Sequence, residues 1–200
     1  MASVYDGYVS RYVNRRISDP IAKLLARTGI TPNQVSWASF GLAAISFLSF
    51  IYNWNIAAGL FVQLSSIIDG VDGSLARLKG MSSVFGGFLD SILDRYADIL
   101  VILGLTVWSV SNEVYSHIWL VGFLCSTGTL GVSYSRARVS AELRHHFDRG
   151  FLSLASRDIR LLIVMIGAII GQGYFCLIFI AVLTHLMIIS RLIFTYRHLR

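Results

Sequence analysis

Six apolar runs, separated by short polar connections, constrain the fold of this chain more than any other feature. They cover residues 35–52, 56–68, 84–110, 117–135, 160–171 and 173–195. Several approach the roughly 20 residues that a helix needs to cross a bilayer. The 200-residue chain is 55% hydrophobic and only 14% charged, whereas about 25% of the residues in soluble domains are charged. We therefore expect an all-α polytopic membrane protein with six transmembrane helices.

The segment before the first run has a different pattern. Residues 10–27 alternate apolar and basic side chains at helical spacing, which is typical of an amphipathic helix at the membrane interface. Pro32 suits the first turn of the next helix. We expect a single membrane domain over residues 1–200, with a juxtamembrane amphipathic segment at 1–30 and a six-helix bundle at 31–200. The first 20 residues lack the apolar core of a signal peptide.

The basic residues predict the orientation in the membrane. Most of the 17 lysines and arginines lie before the first run, between runs two and three, between runs four and five, or at the end of run six. The connections near Asn53, Glu113 and Gln172 contain none. The positive-inside rule then places both termini on the cytoplasmic side of the cell membrane. The net charge of +6 is spread between apolar spans and forms no single basic face, so we expect no nucleic-acid partner.

Four aspartates carry the chemistry. Asp69 and Asp72 are three residues apart at the end of the second run, and Asp90 and Asp94 are four apart at the start of the third. Each pair shares one helix face. A short basic turn joins the two helices, so we expect antiparallel neighbours whose acidic faces meet at the cytoplasmic end. Clustered carboxylates need compensating charge, and an all-oxygen ligand set suits Mg²⁺ or Mn²⁺.

These residues form a longer pattern, D-x2-D-G-x2-A-R-x8-G-x3-D-x3-D, which begins at Asp69 and ends at Asp94. It matches the signature of the CDP-alcohol phosphotransferases, also called CDP-alcohol phosphatidyltransferases, at every specified position. The chain resembles that family along its whole length. The resemblance implies a metal-dependent transferase that moves a phosphate-linked alcohol from a CDP-alcohol to the hydroxyl of a second alcohol and releases CMP.

The resemblance also assigns roles to residues. Asp69, Asp72, Asp90 and Asp94 would hold two metal ions, and Asp94 would be the catalytic proton acceptor. The CDP moiety would contact Gly73, Arg77 and Ser83. The family's P-[ND]-x-x-T segment is similar to Pro32-Asn33-Gln34-Val35-Ser36, where Ser36 replaces the threonine, so Asn33 and Ser36 join the donor site.

Three arginines are candidates for binding the acceptor. Arg136 ends the fourth run, Arg157 precedes the fifth and Arg191 lies late in the sixth. They match positions that bind the acceptor's phosphate in members that use inositol phosphate. Arg136 replaces a lysine of that pattern, and Ser156 replaces a glutamate. The alternative is that they act only as positive-inside anchors, as we expect for Arg144, Arg149, Arg197 and Arg200.

A second resemblance concerns the donor. Three segments look like those of members that are often fused to a soluble cytidylyltransferase: Asp6-Gly7-x-x-Ser10-Arg11-x-x-Asn14-Arg15-x-Ile17-Ser18, Gln63-Leu64-Ser65-Ser66 and Asp94-Arg95-Tyr96-Ala97-Asp98. That group includes di-myo-inositol phosphate phosphate synthases, which implies CDP-inositol as donor and inositol 1-phosphate as acceptor. This chain lacks the soluble domain, so we expect a separate cytidylyltransferase to supply the donor. The rival is phosphatidylinositol-phosphate synthase, with CDP-diacylglycerol as donor. A homodimer is a further expectation from the family.

Other residues suggest structural roles. We expect Asp98 to pair with a base or to line a polar seam, His185 to be a core histidine, and Cys125 and Cys176 to be buried thiols. A transporter with an acidic ion site is a different functional class. Transporters are expected to show internal repeats or broken helices at the midplane. The sequence shows neither, which favours the enzyme.

Overall fold

The computed structural model describes residues 14–140, 146–147 and 154–198. In this part of the chain it contains seven long α-helices, listed here in chain order: α1 Arg15–Leu25, α2 Pro32–Ile51, α3 Asn55–Lys79, α4 Val84–Asn112, α5 Ile118–Arg138, α6 Arg157–Ile169 and α7 Gly173–His198. The helices α2 to α7 correspond one to one with the six apolar runs. The predicted all-α class is therefore confirmed for the described residues.

Four of these helices, α2, α3, α5 and α7, are long and apolar enough to cross a membrane. This is consistent with a polytopic membrane protein. The other two depart from the pattern in different ways. The 29 residues of α4 are ample in length, but Asp90, Asp94, Arg95 and Asp98 make it polar. The 13 residues of α6 extend only about 20 Å, less than the hydrocarbon thickness of about 30 Å. Six spans therefore stay a prediction.

The helix ends follow from local sequence. Pro32 occupies the first turn of α2, as predicted. Thr31 caps the helix in a reciprocal capping box with Gln34. Gly80 ends α3 in the left-handed conformation with φ +64°, which glycine adopts without steric cost. Ser83 caps α4 by accepting a hydrogen bond from the Gly86 amide. The turn between α3 and α4 is therefore short and well defined.

Helix packing differs from the expectation that α3 and α4 are direct neighbours. Both pack most extensively against α2, and the described residues of α3 and α4 share at most sparse backbone contacts. Small polar residues allow the close approach of α2 to α3. Ser39 and Ser65 exchange hydroxyl-to-carbonyl hydrogen bonds at 3.0 and 2.9 Å, and Ser46 donates to the Ala58 carbonyl. Such contacts replace hydrophobic burial where lipid is the solvent. A gap between α3 and α4 remains on the face where the aspartates lie.

The helix α1 packs along α3, and its buried side is small and polar. Asn14, Ser18 and Ala22 are buried, whereas Ile17 and Leu24 are exposed. The sequence pattern predicted the apolar and basic sides of this helix but not the buried polar side, and the basic Arg15 side chain is only 10% exposed. Placement of α1 at the membrane interface stays a prediction, and residues 10–13 of the predicted amphipathic segment lie outside the described residues.

Candidate active site

The acidic cluster lies in the gap between α3 and α4. Asp69, Asp72 and Asp90 each offer a carboxylate oxygen, and these oxygens lie within 4.8 Å of one another. Two oxygens bound to one Mg²⁺ ion are at most about 4.2 Å apart, twice the typical Mg–O distance. Small side-chain rotations would bring all three to one ion. The hard oxygen donors and their spacing therefore fit a divalent metal.

Asp72 is held in place by neighbouring groups. The Ser36 hydroxyl of α2 donates to Asp72 Oδ2 at 2.5 Å, and the Gly73 amide donates to Asp72 Oδ1. Asp72 is buried, so these donors replace water around its carboxylate. Ser36, assigned to the donor site by resemblance, thus contacts a residue of the acidic cluster. The serine hydroxyl is sufficient for this contact.

A cleft of about 190 Å³ opens beside the acidic cluster. All five residues assigned to the CDP moiety line it, together with two of the aspartates: Asn33, Ser36, Asp72, Gly73, Arg77, Ser83 and Asp90. Gly86 also lines the cleft, and a Cβ atom there would lie only 3.0 Å from Ser83 Oγ and 3.3 Å from Asn33 Oδ1. A larger residue at 86 would crowd the cleft wall.

Asp94 joins the cluster through an arginine of α6. Arg157 Nη1 lies 2.6 Å from Asp69 Oδ2 and 3.1 Å from Asp94 Oδ1. Its Nε donates to Asp98 Oδ1 at 3.1 Å. The structure places Arg157 in contact with the aspartates, and its assignment to the acceptor's phosphate by resemblance stays a prediction. Sequence reasoning missed this contact, because nothing local links the start of α6 to α3.

Asp98 is the centre of a buried ion network. It is 2% exposed and accepts from Arg157 and, at 2.8 Å, from Arg160 Nη2. Arg95 Nη1 lies 3.5 Å away. The expectation that Asp98 pairs with a base is confirmed. Arg160 lies three residues after Arg157 on α6, so both arginines reach Asp98 from the same helix face.

The other two predicted acceptor arginines lie near the end of α5. Arg191 is buried, donates to the Val132 carbonyl at 2.8 Å and to Ser135 Oγ at 3.0 Å, and lies over the Phe147 ring at 4.8 Å. Arg136 is partly buried in the last turn of α5. The contacts described for Arg191 therefore differ from those of Arg157, and a joint acceptor site stays a prediction.

The residues expected to have structural roles behave as predicted. Cys125 and Cys176 are free and buried. The ring of His185 is partly buried, and its Nδ1 lies 2.9 Å from the Ala181 carbonyl of its own helix. None of the three lines the cleft beside the aspartates.

Comparison with known proteins adds independent evidence. The family model described as CDP-alcohol phosphatidyltransferase matches residues 29–197. A bifunctional IPC transferase and DIPP synthase of Thermococcus kodakarensis is 45% identical over 134 residues, which are 66% of this chain and 30% of that protein. An archaetidylinositol phosphate synthase of Pyrococcus horikoshii is 33% identical over 171 residues, 86% of each chain. The chain spans about a third of the length of the bifunctional relatives it matches.

Solved structures agree with the fold. The phosphatidylinositol phosphate synthase of Mycobacterium tuberculosis with CDP-DAG bound has a TM-score of 0.72 and 28% identity, covering 88% of this chain and 92% of that one. The same enzyme in complex with manganese and citrate has a TM-score of 0.74, again with 28% identity, covering 88% of this chain and 87% of that one.

Proposed function

We propose, because this chain belongs to the CDP-alcohol phosphatidyltransferase family, that it transfers a phosphate-linked alcohol from a CDP-alcohol to the hydroxyl of a second alcohol. The observation that carries the proposal is the cleft, in which the five candidate CDP ligands lie beside Asp72 and Asp90. A nucleotide bound there would present its diphosphate to the acidic cluster. This arrangement suits phosphoryl transfer, which depends on positioning and charge stabilisation.

Asp69, Asp72, Asp90 and Asp94 would hold two Mg²⁺ or Mn²⁺ ions. When bound, such ions supply charge that stabilises the diphosphate and the leaving phosphate. The spacing of the Asp69, Asp72 and Asp90 oxygens supports one such ion, and the second ion and the part of Asp94 rest on the resemblance. The manganese complex of the mycobacterial enzyme supports a divalent ion of this class.

The residues of the chain suggest the steps of the reaction. The acceptor oxygen attacks the phosphorus distal to cytidine, the bond between that phosphorus and the bridging oxygen breaks, and CMP leaves. Asp94 takes the proton of the acceptor hydroxyl. Arg77 pairs with the phosphate retained by CMP. Asn33, Gly73 and Ser83 line the nucleotide site, and Ser36 orients Asp72.

For the substrates, the names of the relatives favour inositol phosphate as the acceptor. The best-supported pair is CDP-inositol with inositol 1-phosphate, since the bifunctional synthase shares 45% identity. The second candidate donor is CDP-diacylglycerol, which is bound in the similar mycobacterial structure.

We further propose six membrane spans with the site and both termini cytoplasmic, a homodimer, and a separate cytidylyltransferase that supplies the donor.

A turnover assay tests the proposal. The full chain, purified in detergent with Mg²⁺ or Mn²⁺, is incubated with inositol 1-phosphate and either CDP-inositol or CDP-diacylglycerol. CMP release is followed and the products are identified by mass spectrometry. CMP release with CDP-inositol and a phosphorylated di-inositol product supports the first pair, and release only with CDP-diacylglycerol supports the second. If neither donor releases CMP and the chain mediates ion-dependent uptake into vesicles, the transporter class is favoured.

A further inference from the structure

The hydroxyl of Ser74 on α3 links α1 to the wall of the donor cleft. Arg15 Nη1 donates to Ser74 Oγ at 2.6 Å, and Arg77 Nη2 donates to the same oxygen at 3.3 Å. Ser74 Oγ in turn donates to Asp19 Oδ1 at 3.1 Å. A serine hydroxyl has one proton and two lone pairs. These three partners therefore use its full hydrogen-bonding capacity.

The geometry of the helices explains why these groups meet. Ser74 and Arg77 are three residues apart on α3, and Arg15 and Asp19 are four apart on α1, so each pair shares a face. Ser74 is 7% exposed, and the Arg15 and Asp19 side chains are 10% and 35% exposed. The hydroxyl is thus shielded from water, and its orientation is set by protein groups.

Independent contacts hold α1 against α3 over several turns. The Asn14 side chain donates to Ser66 Oγ at 3.0 Å and accepts from the Gln63 side chain at 2.9 Å. Further along, Gly70 brings α3 so close to α1 that a Cβ atom at this position would lie 3.3 Å from Ser18 Oγ. Arg15 and Asp19 therefore approach Ser74 from a firmly docked helix.

The charges in this cluster favour Arg77 as a phosphate ligand. Two guanidinium groups share one hydroxyl oxygen, and the Asp19 carboxylate lies 3.4 Å from Arg15 Nη1. Asp19 offsets the charge of Arg15, so the charge of Arg77 remains available to the cleft that it lines. Ser74 contacts one terminal nitrogen of the Arg77 guanidinium group and restricts the rotation of that group.

We propose that Arg15, Asp19 and Ser74 are positioning residues that orient Arg77 toward the donor's phosphate. The helix α1 then contributes to nucleotide affinity without touching the nucleotide. This inference rests on the proposed function, because it takes Arg77 as a ligand of the CMP moiety.

Binding of CMP to the purified full chain with Mn²⁺, measured by isothermal titration calorimetry, tests this inference. Losing one such hydrogen bond should weaken CMP binding about threefold to tenfold in Ser74→Ala and Asp19→Ala. Ser74→Thr keeps the hydroxyl and should retain most of the affinity. Ser46→Ala removes a buried interhelical hydrogen bond of α2 far from this cluster along the chain, and should leave CMP binding unchanged.

The double variant Ser74→Ala/Arg77→Ala separates positioning from simple stabilisation of the fold. If Ser74 acts through Arg77, its removal weakens CMP binding in the wild type but adds little once Arg77 is absent. Equal weakening in both backgrounds overturns the inference. The inference is also overturned if Ser74→Ala and Asp19→Ala bind CMP with wild-type affinity while Arg77→Ala binds it weakly. In that case the proposed function stands. If the wild-type chain does not bind CMP, the proposed function fails and this inference fails with it.

Discussion

Arg157 Nη1 lies 2.6 Å from Asp69 Oδ2, so a basic residue at the start of α6 contacts a candidate metal ligand on α3. The same nitrogen contacts Asp94. This relationship changes what Arg157 is expected to do. Its charge acts on the acidic cluster itself, and any role toward the acceptor's phosphate must be compatible with that position.

Replacing Arg157 by Ala should therefore strengthen divalent-metal binding while lowering turnover. One unit charge roughly 5 Å away is worth about 3 kcal/mol at an effective dielectric constant near 20, so Mn²⁺ affinity should rise about a hundredfold. Turnover should fall about a hundredfold, as for other lost charge stabilisers. Mn²⁺ titration by electron paramagnetic resonance and CMP release measure the two effects. The exposed Arg197 is the control. If Arg157→Ala binds Mn²⁺ with unchanged affinity but has a raised acceptor KM, Arg157 acts on the acceptor alone.

Asp94→Asn keeps the side-chain shape but removes the base and one anionic ligand. Turnover should fall by several orders of magnitude, since general base catalysis alone contributes about 10²–10⁴. The thermal unfolding temperature should change little, because Asp94 retains partial access to water. If Asp94→Asn keeps most of the wild-type activity, another group accepts the proton.

Asp98→Asn should act mainly on stability. Asp98 is 2% exposed and pairs with Arg157 and Arg160. Removing one partner of a buried ion pair typically costs about 3–5 kcal/mol, because the other charge is left uncompensated. We expect a lower unfolding temperature and a much smaller loss of turnover than in Asp94→Asn. Wild-type thermal stability in Asp98→Asn would argue against a structural role for this network.

The acceptor prediction can be tested at Arg136, with an exposed arginine of α7 as the control. If Arg136 binds the acceptor's phosphate, Arg136→Ala loses a charge-assisted hydrogen bond of roughly 1.5–3 kcal/mol and raises the acceptor KM about tenfold or more. The donor KM should hardly change. Arg197 is exposed near the end of α7 and is expected to act only as an anchor, so the acceptor KM should not change on the same substitution. If both variants keep the wild-type KM for inositol 1-phosphate, Arg136 does not bind the acceptor's phosphate and serves only as a positive-inside anchor.

The orientation is tested by cysteine labelling in intact cells. Asn53→Cys and Gln172→Cys lie in exposed connections without basic residues and should react with an impermeant maleimide from outside. Met81→Cys, in the turn between α3 and α4, should react only after the membrane is opened. Cys125 and Cys176 can remain, since both are buried. Outside labelling at Met81→Cys would reverse the topology.

Much of the fold could be predicted because its signals are local. Apolar periodicity located α2 to α7, and Pro32 and Gly80 lie where a helix begins and another ends. The run at 56–68 underestimates α3, which continues to Lys79. The reason is that the polar residues of the site interrupt the apolar pattern without interrupting the helix.

By itself the sequence determined the helices and the shared faces of the aspartate pairs, because spacing along one helix dictates which side chains lie together. The residues assigned to the donor cleft followed from the resemblance to the family, since they lie on different helices. Only the tertiary structure decided that α2 packs between α3 and α4, that Arg157 reaches Asp69 and Asp98, and that Ser74 joins Arg15 to Arg77. Arg157 and Asp98 are 59 positions apart, as are Arg15 and Ser74. Helical periodicity specifies a face but not its partner, and the partner is chosen by how the helices satisfy buried charge and close packing together.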